Sequence, residues 1–179
     1  MSLPEEVAAG RAIRVGIGDF ALGGPKNSYR VTLGSCVGVA LVWSRQSRFA
    51  VAHVLLPSVR KSSMQSQGSR YADLVVPFLL EQLEVEGRNR EITAFVAGGG
   101  QMYKQDSDGE QVGPLNVAAL ESALKDHRIR IEASDFGGTT PRQLVVDGPS
   151  RQVYSMHLDN PEGSLTWNLP RRFSTPESL

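Results

Sequence analysis

Two apolar runs joined by a short polar turn stand out in the first third of the chain. Residues 36–43 read CVGVALVW and residues 49–56 read FAVAHVLL, with Ser44 to Arg48 between them. Segments of this length, rich in valine and alanine and ended by Pro57, have the pattern of two strands in a β-hairpin. An isolated hairpin is barely stable in water. The rest of the chain therefore has to supply the elements that pack around it.

Those elements can be read from spacing. Residues 12–18 (AIRVGIG) alternate as a first strand, residues 19–28 carry the loop residues Gly23, Gly24, Pro25 and Asn27, and residues 29–33 alternate again. Residues 59–69 hold four serines and two glutamines and read as a polar loop, placed after the His53 strand where it could face a substrate. Apolar residues at 71, 74, 75, 78, 79 and 83 give helical spacing that stops at Gly87. Residues 92–97 form a strand running into Gly98-Gly99-Gly100, and residues 105–110 a polar loop. Asn116 suits the cap of a helix over 117–126. A strand at 129–134 and a hairpin of 143–146 with 152–157 around Asp147-Gly148 complete the pattern. The expected fold class is α+β, with packed, sandwich-like β-sheets and two main helices on the outside. Residues 1–12 read as a flexible lead-in, 13–157 as a single domain, and 158–179 as an irregular tail.

Composition narrows the function. The 179 residues carry 19 Lys+Arg against 19 Asp+Glu, and a formal charge of zero argues against nucleic acid or an anionic membrane as the main partner. No run approaches the roughly 20 apolar residues of a membrane span. The first ten residues include Glu5 and Glu6 and lack the apolar stretch of a signal peptide. A single cysteine excludes an internal disulfide and the Cys-rich zinc patterns. A free thiol without an export signal points to the cytoplasm. No cofactor and no metal are expected.

That single cysteine is the main chemical candidate. A lone cysteine ordinarily behaves as a small hydrophobe. Cys36, however, follows Gly34-Ser35 at a strand start, where backbone can approach a ligand and N–H groups can face an oxyanion. His53 is the one polar residue of its run and a candidate base, although a satisfied core histidine is the plainer reading. The two sit on opposite arms of the hairpin, so a nucleophile and its base can meet across the ladder if they share a face. Thr32 is the nearest group able to orient the imidazole, and it also reads as an ordinary strand threonine. Gly98 and Gly99 suggest close backbone approach beside a pocket, with Gln101 and Met102 leaving the loop. No Lys-Ser/Thr follows the glycines, as a phosphate loop would require.

Several of these residues together resemble the chemoreceptor glutamine deamidase family, CheD. The similarity lies in Leu33-Gly34-Ser35-Cys36-Val37-Gly38-Val39 and in Ala52-His53-Val54-Leu55-Leu56-Pro57, with cysteine and histidine 17 residues apart. It continues through Arg70-Tyr71-Ala72-Asp73, Gly98-Gly99 with Met102-Tyr103, and Val112-Gly113 with Asn116-Val117. The last segment is Asp135-Phe136-Gly137-Gly138 with Arg142. The resemblance implies an α+β hydrolase with a Cys-His-Thr triad that converts glutamines of methyl-accepting chemotaxis receptors to glutamate. Carried over by position, Cys36 attacks and His53 moves the proton. The family threonine usually lies five or six residues before the cysteine. Val31 and Arg30 stand there in this chain, and Thr32 is the nearest hydroxyl. The resemblance also implies a CheC-type phosphatase as a possible partner. A non-catalytic module that binds receptors or such a phosphatase is the alternative function.

Overall fold

Strand β4 (Val37–Trp43) has all seven residues buried, and its hairpin partner β5 (Arg48–Val54) has six of seven. Strands apolar on both sides must be covered on both faces, and the architecture follows from that requirement. The computed structural model describes residues 4–59, 68–102 and 111–173. The loop expected at 59–69 and the polar loop at 105–110 fall largely or wholly outside these residues.

One sheet has the order β2-β5-β4-β6-β7, with β2 at Phe20–Gly23, β6 at Ile92–Gly98 and β7 at Arg130–Phe136. The other has the order β1-β3-β8-β9-β10, with β1 at Ile13–Arg14, β3 at Ser28–Leu33, β8 at Arg142–Asp147, β9 at Gln152–His157 and β10 at Leu165–Asn168. Helix α1 spans Pro4–Arg11, α2 Ala72–Gln82 and α3 Val112–Asp126. Strands β6 and β7 pair in parallel, and a parallel pair needs a crossover, which α3 provides.

Alternation along the strands sorts side chains into three cores. Val37, Val39 and Leu41 of β4 point toward α2 and α3, where they meet Val75, Val76, Leu79 and Leu120. Ala40 and Val42 point the other way, to Val31, Leu33, Leu144 and Val146 of the second sheet. On the far face of that sheet, Val145 and Tyr154 pack under Ala8 and Ala12 of the α1 region. The order of layers is therefore α2/α3, sheet, sheet, α1. The expected α+β class with packed sheets is borne out, as are α2 and α3 on the outside.

Four local expectations differ from the structure. Residues 4–11, within the lead-in read at 1–12, form helix α1, docked by Arg11 on Asp147. The expected first strand shrinks to β1, because the chain turns at Gly18 with φ +80°, and β2 forms where a loop was expected. Helix α3 starts at Val112, not 117. Pro114 falls in its first turn, where a missing N–H costs nothing. Within the expected tail, β10 extends the second sheet at its edge, and Leu169 and Phe173 are buried.

Asp147 is fully buried, and it accepts hydrogen bonds from Arg11, Ser28 and the Ser150 backbone. Burial pushes its carboxyl up, but the bonds from Arg11, Ser150 and Ser28 outweigh this and hold it below its ordinary value. A lowered folded-state value contributes stability above the unfolded value of about 3.9, and the contribution is lost as pH falls. Replacing Arg11 by alanine leaves a buried carboxylate short of its partner. The expected loss is about 2 kcal/mol, less than for a fully buried pair because the Arg11 side chain is 39% exposed. Denaturant melts at neutral pH check the value. Acid titration of Arg11→Ala should show unfolding beginning at higher pH than in the parent, and coincident acid curves would contradict this account.

Candidate active site

Gly34, Ser35 and Cys36 form a bend between β3 and β4. The bend is held by main-chain bonds to the glycine run at the end of β6. The Gly99 N–H donates to the Cys36 carbonyl and the Gly100 N–H to the Gly34 carbonyl, both at 2.8 Å. The approach leaves no room for side chains. At Gly98, where φ is +101°, a Cβ would overlap the Cys36 carbonyl oxygen, and at Gly99 it would overlap Val117. The Met102 side chain lies over Gly34 and Gly100. Close backbone approach is therefore what the glycine run does here.

Cys36, the last residue of the bend, directly precedes β4 and is 9% exposed. His53, on β5, is 3% exposed and sits directly opposite Gly38. Cys36 belongs to the core between the sheets, together with Ala40 and Val42 of β4 and Phe49 and Val51 of β5. Alternation puts His53 on that same face, one diagonal step from Cys36. The hairpin thus brings the two residues to one face of adjacent strands, which periodicity alone could not establish.

The imidazole is oriented by the main chain. His53 Nδ1 lies 3.3 Å from the Val15 carbonyl oxygen, and the Val15 N–H in turn donates to Arg30 of β3 at 2.8 Å. With its proton on Nδ1, the ring presents a bare Nε2. That atom is buried and has no hydrogen-bond partner, so it is not bonded to the Cys36 sulfur in this state. Thr32 is not brought to the site. Val31 and Leu33 point into the core between the sheets, so Thr32 points to the opposite face of β3, where its hydroxyl accepts from Gln143 Nε2 at 3.0 Å. A one-residue change of position along a strand reverses the face, and this sets Thr32 apart from Cys36 and His53.

Burial pushes the Cys36 thiol above its ordinary value, partly offset by its own backbone N–H. Burial also lowers His53. The bond to Val15 and the charge of Asp19 act in the other direction, and Arg14 adds to the lowering. Both shifts favour the neutral form of each group.

A cavity of about 170 Å³ opens against the bend, with Ser35, Gly100, Met102 and Gln111 in its wall. It shares Gln101 with a groove of about 480 Å³ between α3 and the turn after β7, lined by Pro114, Val117, Phe136 and Gly138. Asp135 and Arg142, in the last segment of the family resemblance, join the two sheets. Arg142 donates to the Asp135 carboxylate at 2.8 Å, and His157 Nε2 lies 2.7 Å from the other oxygen. Among the described residues, no cluster of three His, Cys, Asp or Glu is arranged to hold a metal ion. None of their helices is long and apolar enough to cross a membrane.

Two contributors escaped the sequence reading. The Val15 carbonyl is a main-chain group and carries no side-chain signature. Asn116 does carry one, as a polar residue on the apolar stripe of α3, although its place ahead of residues 117–126 predicts a helix cap. It is fully buried, and its Nδ2 donates to the carbonyls of Ser35 at 3.0 Å and Leu55 at 3.1 Å.

Comparison with known proteins points one way. Residues 55–157 match the family described as CheD chemotactic sensory transduction. That match begins two residues after His53, so the candidate pair lies just outside it. A probable chemoreceptor glutamine deamidase CheD of Methanococcus vannielii is 36% identical over 135 residues, covering 75% of this chain and 87% of the relative. Similarly named proteins are 33% identical over 146 residues in Clostridium botulinum, covering 79% and 90%, and 36% identical over 137 residues in Bdellovibrio bacteriovorus, covering 75% and 87%.

Two outcomes follow from this geometry. Alkylation of Cys36 in the free protein should be slow at pH 7 and should rise only above the ordinary thiol value of about 8.5. Fast labelling at pH 7 would contradict a protonated resting thiol. Gly98→Ala strains a positive φ and displaces the Cys36 carbonyl, for an expected loss of about 1–3 kcal/mol in thermal or denaturant melts.

Proposed function

The chain belongs to the CheD family, and on that premise we propose that it is a cysteine-dependent deamidase that converts glutamines of chemotaxis receptors to glutamate. The observation that carries this reading is the placement of Cys36 and His53 on one face of adjacent strands, with His53 Nε2 unpartnered. The receptor substrate rests on the names of the relatives. The free thiol supports a cytoplasmic site of action. A CheC-type phosphatase as a further partner rests on the family resemblance alone.

The proposed chemistry is general-base nucleophilic catalysis. His53 Nε2 takes the thiol proton as Cys36 Sγ attacks the side-chain carbonyl carbon of the glutamine. The tetrahedral intermediate collapses when His53 returns the proton to the nitrogen, so the C–N bond breaks and ammonia leaves. Water, deprotonated by His53, then attacks the thioester. The C–S bond breaks and His53 returns the proton to Cys36 Sγ, leaving a glutamate side chain and the free thiol. The cavity beside Ser35 and Gly100 receives the carboxamide. The Val15 carbonyl holds the imidazole in the tautomer that this sequence needs. Thr32 has no part in it.

The test uses receptor cytoplasmic fragments and mass spectrometry of Gln-to-Glu conversion. Cys36→Ala should abolish conversion, and His53→Ala should lower kcat/KM by roughly 10²–10⁴-fold. Thr32→Ala should leave the rate unchanged. Because burial lowers His53, the imidazole is neutral at pH 7, and the acid limb of kcat/KM should fall below the ordinary imidazole value of about 6.5. Conversion that survives Cys36→Ala sinks the proposal. Receptor binding without any conversion would instead identify a non-catalytic adaptor.

A further inference from the structure

A planar peptide bond links where a carbonyl points to where the next N–H points. In the trans form the two are directed oppositely, so a group that holds the Ser35 carbonyl also aims the Cys36 N–H. That group is the Asn116 carboxamide, which approaches the bend from the buried face of α3. Its other Nδ2 hydrogen goes to the Leu55 carbonyl, two residues beyond His53. One side chain therefore grips the segment before the cysteine and the segment after the histidine. Its own Oδ1 is buried and unpartnered. Leaving an acceptor unsatisfied in a core is costly, so the residue is poorly explained by stability alone.

We propose that Asn116 is a positioning residue: by holding the Ser35 and Leu55 carbonyls it turns the Cys36 N–H toward the thiol side as an oxyanion donor and fixes His53 relative to it. This deepens the deamidase reading above and rests on it. The main chain supports the same geometry from the other side. Gly99 and Gly100 take the Cys36 and Gly34 carbonyls, so the three carbonyls of the bend are held by α3 and the end of β6. The Cys36 N–H stabilises negative charge that develops only as the carboxamide is attacked. Losing its aim therefore lowers kcat and leaves substrate binding unchanged.

The experiment compares Asn116→Leu, Asn116→Asp and the parent, with rates expressed per folded molecule counted by near-UV circular dichroism. Asn116→Leu keeps the branching at Cγ and removes the donors; Asn116→Asp keeps an acceptor and removes the donors. Both should lose roughly 10²-fold in kcat with KM unchanged, as expected for a misplaced catalytic group. In Asn116→Leu, which adds no charge, the acid limb of kcat/KM should stay where the parent has it, because Val15 still holds the imidazole. A purely structural role would lower the melting temperature and the folded fraction while leaving kcat per folded molecule intact, and that result overturns the proposal. A rise in KM at constant kcat overturns it too. Where the variants do not fold, the parent still decides: NMR of asparagine-labelled protein should show both Asn116 side-chain amide protons protected from exchange, and free exchange overturns the proposal. Cys36→Ala run in parallel separates the two failures. If Cys36→Ala stays active, the deamidase reading fails. If Cys36→Ala is dead while Asn116→Leu is fully active, only this inference fails.

Discussion

The central constraint on the molecule is that β4 has no free side. It pairs with β5 along one edge and β6 along the other, and it is covered by helices on one face and by the second sheet on the other. Every residue of the strand therefore has a fixed neighbourhood, and parity decides which. Val37 and Val39 belong with the helices, whereas Cys36, Ala40 and Val42 belong between the sheets. A one-residue slip would send the thiol to the helical core and His53 with it, so burial of the hairpin also specifies the chemistry at its end. Gly38, between Cys36 and Ala40, shows how tight this packing is: a Cβ there would press on Val31 and Leu33 of the facing sheet.

The candidate site is then assembled mainly from backbone. Carbonyls of the Cys36 bend are taken by two glycine N–H groups and one buried carboxamide, and the imidazole by the Val15 carbonyl. Such a scaffold is rigid but dry. Dryness raises the thiol and lowers the imidazole, which disfavours a resting ion pair and favours proton transfer at the moment of attack. The unpartnered His53 Nε2 is consistent with a base waiting for a proton. Hydrogen bonds at catalytic groups are often long or absent before substrate arrives.

Much of the fold could be read in the sequence because its signals are local. The apolar hairpin, the helical stripe of α2 and the Asp147-Gly148 hairpin all appear at the expected places, since periodicity and turn residues report them directly. What failed depended on tertiary context. Strands β2 and β10 are short edge strands whose sequence is indistinguishable from loop, and partner strands make them, while β1 keeps only two residues of the strand expected at 12–18. Helix α3 begins at Val112, ahead of the start expected at 117, with Gly113 and Pro114 in its first turn. For the site, Cys36 and His53 were visible as residue types in a telling order, and the glycines marked close approach. Thr32 lies on the other face of β3, which the packing of that strand sets and its sequence does not announce, and Val15 could not be found because its contribution is a carbonyl.

The account stands or falls on whether the one thiol of the chain does the chemistry. Because Cys36 is the only cysteine, its chemical state can be followed by intact mass without ambiguity. Converting it to the S-methyl disulfide at alkaline pH and measuring deamidation of a receptor fragment against the fraction converted tests this directly. Activity should fall linearly to zero and return when a reductant restores the thiol. A fully converted protein that still turns glutamine into glutamate would contradict the account.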